Sequence, residues 1–134
     1  MTALDVSRLV LCALFDGVNP SQYGEFHPLA EGVAILPLYG RGPRGEAPQD
    51  GPSAAFLRYS PGASVPAHEH RGYEHILILQ GSQRDERGVY GRGTCIVSSP
   101  GTRHSVTSDD GCLALAIWNE PVAFIENQRP KAVR

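Results

Sequence analysis

The sequence predicts an all-β, single-domain fold of the sandwich or barrel type, preceded by a short N-terminal helix. Three observations predict it. The chain has 134 residues, the usual size of one domain. Hydrophobic residues make up 41% and charged residues 19%, which supports a buried core and is unlike a disordered composition. After Ala54, short β-prone runs alternate with turn formers at regular spacing, the pattern of sheets that pack or close on themselves.

The elements follow in order. Between Asp5 and Gly17, the apolar residues Val6, Leu9, Val10, Ala13 and Leu14 recur at three- and four-residue intervals with Gly17 as a stop, which predicts the helix. Turn formers dominate Val18 to Pro28. Val33 to Tyr39 is an apolar run containing Pro37, and a proline inside a strand predicts an edge position. Arg41 to Ser53 is rich in glycine and proline and reads as a loop, free to move. The predicted strands are then Ala55–Tyr59, Ser64–His70, Glu74–Gln80, Val89–Tyr90, Thr94–Val97, His104–Thr107 and Leu113–Trp118. The domain plan is residues 1–53 packing on the barrel, 54–126 as the barrel core and 127–134 as a loose tail.

Charge and composition exclude several functions. Twelve basic and fourteen acidic residues give a net charge of -2 without a basic block, so nucleic acid is not an expected partner. The single lysine, Lys131, sits in the C-terminal tail, where a Schiff-base amine is not expected. Cys12, Cys95 and Cys112 form no C-x-x-C pair, which points to a reducing compartment. The apolar run Leu9 to Phe15 is short and ends at Asp16, so neither a signal peptide nor a membrane partner is expected, and the location expected is the cytoplasm.

The chemistry gathers around four residues. His68 and His70 are two apart in a strand-like run, and strand side chains alternate between faces, so both imidazoles project to one side. Gly72 lets the chain reverse, and Glu74 opens the next strand, continuing on one face as Ile76, Ile78 and Gln80. His104, after the turn at Pro100-Gly101, supplies a third imidazole. Three nitrogens and one carboxylate oxygen suit one divalent metal ion, zinc, iron, manganese, nickel or cobalt, and the spacing does not choose among them; zinc is the first expectation, with iron, manganese or nickel as alternatives. The bland reading of any single histidine is an ordinary hydrogen-bonded residue; the four together argue against it.

The spacing is specific. Gly62, His68, His70, Glu74 and Gly81 reproduce the first motif of the cupin superfamily: glycine, five residues, H-x-H, three residues, glutamate, six residues, glycine. The second motif is similar with departures: Gly93 is in place, Ser99-Pro100-Gly101 stands where proline, any residue and glycine are usual, His104 follows, and Ser108 replaces the usual asparagine. The segments PGASVPAHEH, ILILQGSQRDERGVYGRGT and PGTRHSV resemble the cupin domain of ChrR-type anti-sigma factors and their stand-alone relatives, over roughly residues 54–120. The resemblance implies a double-stranded β-helix, or jelly-roll barrel, with His68, His70, Glu74 and His104 as metal ligands. In those anti-sigma factors a separate helical domain holds the sigma factor. Residues 1–53 carry no C-x-x-C and one histidine, His27, so sigma-factor binding is not expected.

The remaining polar residues read as structural. His75 and Glu69 should point away from the metal by strand alternation. Asp85-Glu86-Arg87-Gly88 reads as a charged hairpin turn; Tyr59, Tyr73, Arg103 and Trp118 as packing or rim residues; and Cys95 and Cys112 as small buried apolar residues. The resemblance implies a metal-binding sensory or ligand-binding module, with Ile76, Ile78 and Val106 as an apolar wall for a small-molecule ligand. The alternative is a small metal-dependent dioxygenase using open positions on the same ion. A sugar isomerase would rest on fold analogy alone. A homodimer is expected, with His75, Leu77 and Leu79 on an outer sheet layer or a subunit contact.

Overall fold

Alternation of apolar and polar residues builds strands with one buried face, and two such faces must meet. The computed structural model describes residues 7–125. It contains β1 (His27–Ala30), β2 (Val33–Tyr39), β3 (Ser53–Tyr59), β4 (Ser64–Glu69), β5 (Glu74–Asp85), β6 (Gly88–Gly91), β7 (Cys95–Ser98), β8 (Arg103–Thr107), β9 (Cys112–Trp118) and β10 (Ala123–Phe124). The path β1-β2-β3-β9-β5-β8-β4-β10 is hydrogen-bonded throughout, with β6 and β7 also paired to β5. Every pair is antiparallel. The all-β class predicted from the sequence is the one observed.

The long strand β5 joins the two layers. Its first half pairs with β7 and β9, and its second half with β6 and β8. A register irregularity between Ile78 and Gln80 marks the corner, and Gly81 follows with φ 73°. A Cβ at Gly81 would lie 1.9 Å from the Gly111 carbonyl oxygen, so the corner requires glycine both for its backbone angle and for the close approach. The irregularity reverses which residues face inward. Ile76 and Ile78 are buried as expected, whereas Gln80 is exposed and Gln83 is buried instead.

Two apolar clusters result. The inner one contains Ile35, Leu57, Tyr59, Ile76, Ile78, Val106, Ala114, Ala116 and Trp118. The second lies on the opposite face of the same sheet and joins Leu36, Phe56, Leu79 and Leu113 to Val18, Leu11, Leu14, Tyr23 and Phe26. The N-terminal segment therefore covers the outer layer on which Leu77 and Leu79 lie.

The helix predicted over Asp5 to Gly17 is not formed across its described part, Ser7–Gly17. Ala13 has φ 56° and Gly17 φ 72°, angles that a right-handed helix cannot contain, and Leu11 and Leu14 bury against the sheet from an irregular chain. The helical turn observed is a 3-10 turn, Pro20–Tyr23, capped by the Asn19 side chain. The edge assignment of Val33–Tyr39 is also corrected, since β1 pairs outside it over Val33–Ile35. Pro37 lies in the half that β1 does not cover, beside a register shift, a position on the open edge of the sheet that tolerates proline. Arg41–Pro52 is a loop held by Gly42 N–H donating to the Glu46 carbonyl and Gly51 N–H to the Glu120 carboxylate. Cys112 is buried as expected, but Cys95 is exposed, because it points outward from β7 while Ile96 packs inward. The predicted tail at 127–134 lies outside the described residues. Among those residues no helix is long and apolar enough to cross a membrane.

Candidate metal centre

The four predicted residues meet at one end of the barrel. His68 is the penultimate residue of β4 and faces His104 of β8 directly in register, while His70 follows the last residue of β4, Glu69, and Glu74 opens β5. Ring centroids are 5.3 Å apart for His68 and His70, 4.7 Å for His68 and His104, and 4.6 Å for His70 and His104. One ligating atom from each of His68, His70, Glu74 and His104 lies within 4.8 Å of all the others. His68, His70 and Glu74 are buried, and the His104 side chain is 11% exposed.

The hydrogen bonds decide where the protons sit. Nδ1 of His68 is 2.9 Å from the Pro66 carbonyl oxygen, which can only accept, so Nδ1 carries the proton. The Thr102 hydroxyl donates to the Ser99 carbonyl at 2.6 Å and therefore accepts from His70 Nδ1 at 2.9 Å. His104 Nδ1 faces the Asp85 carboxylate at 3.4 Å. Each ring thus turns its Nε2 toward the centre, where its lone pair would be free to bind a metal. Glu74 uses Oε2 to accept from the Trp118 indole N–H at 2.8 Å, leaving Oε1 at 3.1 Å from His70 Nε2 and 3.7 Å from His104 Nε2.

This arrangement is incomplete without positive charge. His70 Nε2 is buried and makes no hydrogen bond, although it stands 3.1 Å from a carboxylate oxygen. A lone pair and an anionic oxygen at that separation repel unless a proton or a metal cation lies between them. Burial works against ionisation of Glu74, but a proton on His70, with those on His104 and His68 behind it, outweighs burial and holds the carboxyl below its ordinary range, the same positive charge that a metal cation would supply. Burial likewise lowers the His68 pKa, favouring the neutral ring that a metal requires. The donor set and its outer hydrogen bonds can hold one divalent ion. A cavity of about 140 Å³ beside His70, Thr102, Asp85 and His104 has roughly the room of a few water molecules.

Three contributors were missed by sequence reasoning. Asp85, read only as a hairpin residue, does cap the turn through Arg87 N–H and Gly88 N–H but also reaches His104. Trp118, read as a packing or rim residue, and Thr102 were given no part in holding the ligands, because their contacts with Glu74 and His70 come from partners 44 and 32 residues away. Other assignments hold: Glu69 faces outward in an ion pair with Arg103, and His75 sits on the outer face between Val97 and Ile117. Tyr73 is exposed, whereas Tyr59 is buried in the core, and burial pushes its phenol pKa up. Ser108, in place of the usual asparagine, is fully buried and donates to the Ser82 carbonyl at 2.7 Å. The Ser99-Pro100-Gly101 turn closes with Thr102 N–H on Ser99 and Gly101 N–H on the His70 carbonyl.

Comparison with known proteins agrees with this architecture. The family model described as the ChrR cupin-like domain matches residues 17–121. The chain belongs to the ChrR cupin-like domain family. It is 36% identical over 80 residues to the anti-sigma-E factor ChrR of Cereibacter sphaeroides, covering 58% of this chain and 38% of that protein. The chain thus spans well under half the length of this curated relative. The structure of Rhodobacter sphaeroides SigE in complex with the anti-sigma ChrR aligns with a TM-score of 0.63 and 26% identity, over 78% of this chain and 54% of the other. An acetylacetone dioxygenase from Acinetobacter johnsonii aligns with a TM-score of 0.67 and 15% identity, covering 100% of this chain and 85% of that one, a likeness of fold alone.

Proposed function

We propose that this ChrR-like cupin is a metal-binding sensory or small-ligand-binding module, with His68, His70, Glu74 and His104 as ligands to one divalent ion, zinc before iron, manganese or nickel. The observation that carries the reading is the convergence of three Nε2 lone pairs on one carboxylate oxygen, each ring braced at Nδ1. When bound, the ion supplies Lewis acidity and a coordination position for a ligand atom. The chain's own part is to orient the rings, keep Glu74 ionised and wall the site with Ile76, Ile78 and Val106, all of them buried in the inner cluster. The test is metal analysis of protein isolated from its native host, followed by turnover assays with zinc, iron, manganese and nickel restored separately. Robust turnover of a physiological substrate would overturn the module reading.

The second reading is a small metal-dependent dioxygenase. Its chemical support is the donor count: four protein donors leave about two positions on a six-coordinate ion, whereas tetrahedral zinc would be closed. Anaerobic addition of candidate substrates to the iron-loaded protein should then change the metal spectrum, and zinc alone in native protein would end this reading. We also propose a cytoplasmic location, consistent with three free cysteines, and a homodimer. Exposed Val97, Ile117 and Tyr39 lie on the sheet's outer side and suit a subunit contact; light scattering checks it.

A further inference from the structure

The turn between β5 and β6 is tied to the metal end of the barrel by side chains rather than by ladder bonds. Among the described residues β6 pairs with β5 alone, and the pairing of β5 with β8 is confined to Arg84 and Thr107. Beyond that pair, two consecutive acids cross the gap. Glu86 accepts from the Ser105 N–H at 3.0 Å and from its hydroxyl at 2.7 Å, and Asp85 Oδ2 lies 3.4 Å from His104 Nδ1. His104 and Ser105 are adjacent in β8, so the tip of the hairpin grips that strand at one of the proposed metal ligands.

Asp85 is the node of this contact. Its side chain is 9% exposed, and its two oxygens serve different elements. Oδ1 accepts from the Arg87 N–H at 2.8 Å, the Gly88 N–H at 3.2 Å and the Tyr90 hydroxyl at 3.5 Å, which fixes the turn, while Oδ2 faces the imidazole. A hydrogen bond from N–H to a carboxylate usually spans about 2.7–2.9 Å, so the contact with His104 is long. The cavity of about 140 Å³ lined by Asp85, Arg87, Tyr90 and His104 leaves room for it to close. A cation on Nε2 draws electron density through the ring and makes the Nδ1 proton a stronger donor, which is why an outer carboxylate and a metal-bound histidine reinforce each other. A carboxylate drawn toward His104 carries the turn with it, because the same group holds the Arg87 and Gly88 amides. Arg87 and Val89 are exposed, so the change reaches the surface.

We propose that Asp85 is a positioning residue that couples metal occupancy to the β5–β6 hairpin, and that this hairpin is the surface element through which the module reports a bound metal. The coupling is reciprocal: a metal that tightens the hairpin is itself held more tightly when the hairpin is closed. This inference rests on the metal-centre reading.

The test is hydrogen exchange of the full chain, followed residue by residue by NMR with saturating zinc and with chelator. The probe is the Arg87 amide. The reference is the Ala63 amide, which donates to the Ser60 carbonyl in the turn between β3 and β4 and, like the Arg87 amide, exchanges by local opening. Zinc should raise the protection of Arg87 relative to Ala63 on the order of 10- to 100-fold, the scale of outer-shell effects on metal affinity. Asp85→Asn keeps an oxygen for the turn amides and removes the anionic acceptor for His104. It should abolish the gain at Arg87, while zinc binds more weakly by a similar factor and still saturates the protein. No gain at Arg87 in the wild type, an equal gain at Ala63, or an undiminished gain in Asp85→Asn overturns the proposal. If Asp85→Asn fails to fold, Asp85→Ser decides: its hydroxyl can cap the turn but is too short to reach His104, so a persisting gain counts against the proposal and a lost one supports it. Absence of zinc binding by the wild type overturns the metal-centre reading and this inference together; zinc binding without a response at Arg87 overturns this inference alone.

Discussion

At the residue scale, each proposed ligand depends on a partner that orients it. Trp118 holds one oxygen of Glu74, so that the other faces the imidazoles. Trp118→Phe keeps most of the ring's packing and removes the N–H. It should lower zinc affinity about 10- to 100-fold, the usual cost of losing an outer-shell hydrogen bond, measured by competition with a chromophoric chelator. The pH dependence follows from His68, whose folded pKa is lowered chiefly by burial. Below the ordinary histidine range, near pH 6.5, the unfolded chain takes up the His68 proton before the folded one does, so stability falls as pH falls through that window. The same proton competes with the metal for Nε2. Competition by this proton should therefore weaken zinc binding as the pH falls below about 6.5, approaching about tenfold per pH unit for each proton displaced. A flat calorimetric profile would exclude imidazole ligation.

At the scale of elements, the decisive feature is the corner in β5. It lets one strand serve both layers and reverses the inward face, so that Glu74 opens the strand inside the site and Asp85 returns to it from the other end. Gly81→Ala should destabilise the protein by at least about 1–2 kcal/mol, the cost of a left-handed conformation for a non-glycine residue, with the close approach of the Gly111 carbonyl adding to it. Urea unfolding measures this. Strand pattern from Ala54 onward was legible because half-buried strands alternate. The reversal after Ile78 was not, since alternation carries no mark of an inserted residue. The N-terminal segment misled for a related reason: Leu11 and Leu14 have helical spacing, but the outer face of the sheet buries them from an irregular chain, and burial outweighs helix propensity.

For the whole molecule, the proposed ligands draw together β4, β5, β8 and the turn between β4 and β5, so metal binding should stabilise the fold as a unit. With free zinc about 100-fold above its dissociation constant, the gain is about 2.7 kcal/mol, which raises the melting temperature on the order of 10 °C for a domain of this size. Differential scanning calorimetry with and without chelator checks it, and His104→Ala should lose most of the shift. By itself the amino-acid sequence determined the all-β class, most strand positions and the identity of the four candidate ligands, because these depend on local alternation and on spacings within a short stretch. Tertiary structure alone decided the β5 corner, the irregular N-terminal cover, and the placing of Trp118, Thr102 and Asp85 around the site. Those contacts join residues far apart in the chain, and only strand pairing and register determine which distant side chains share one face.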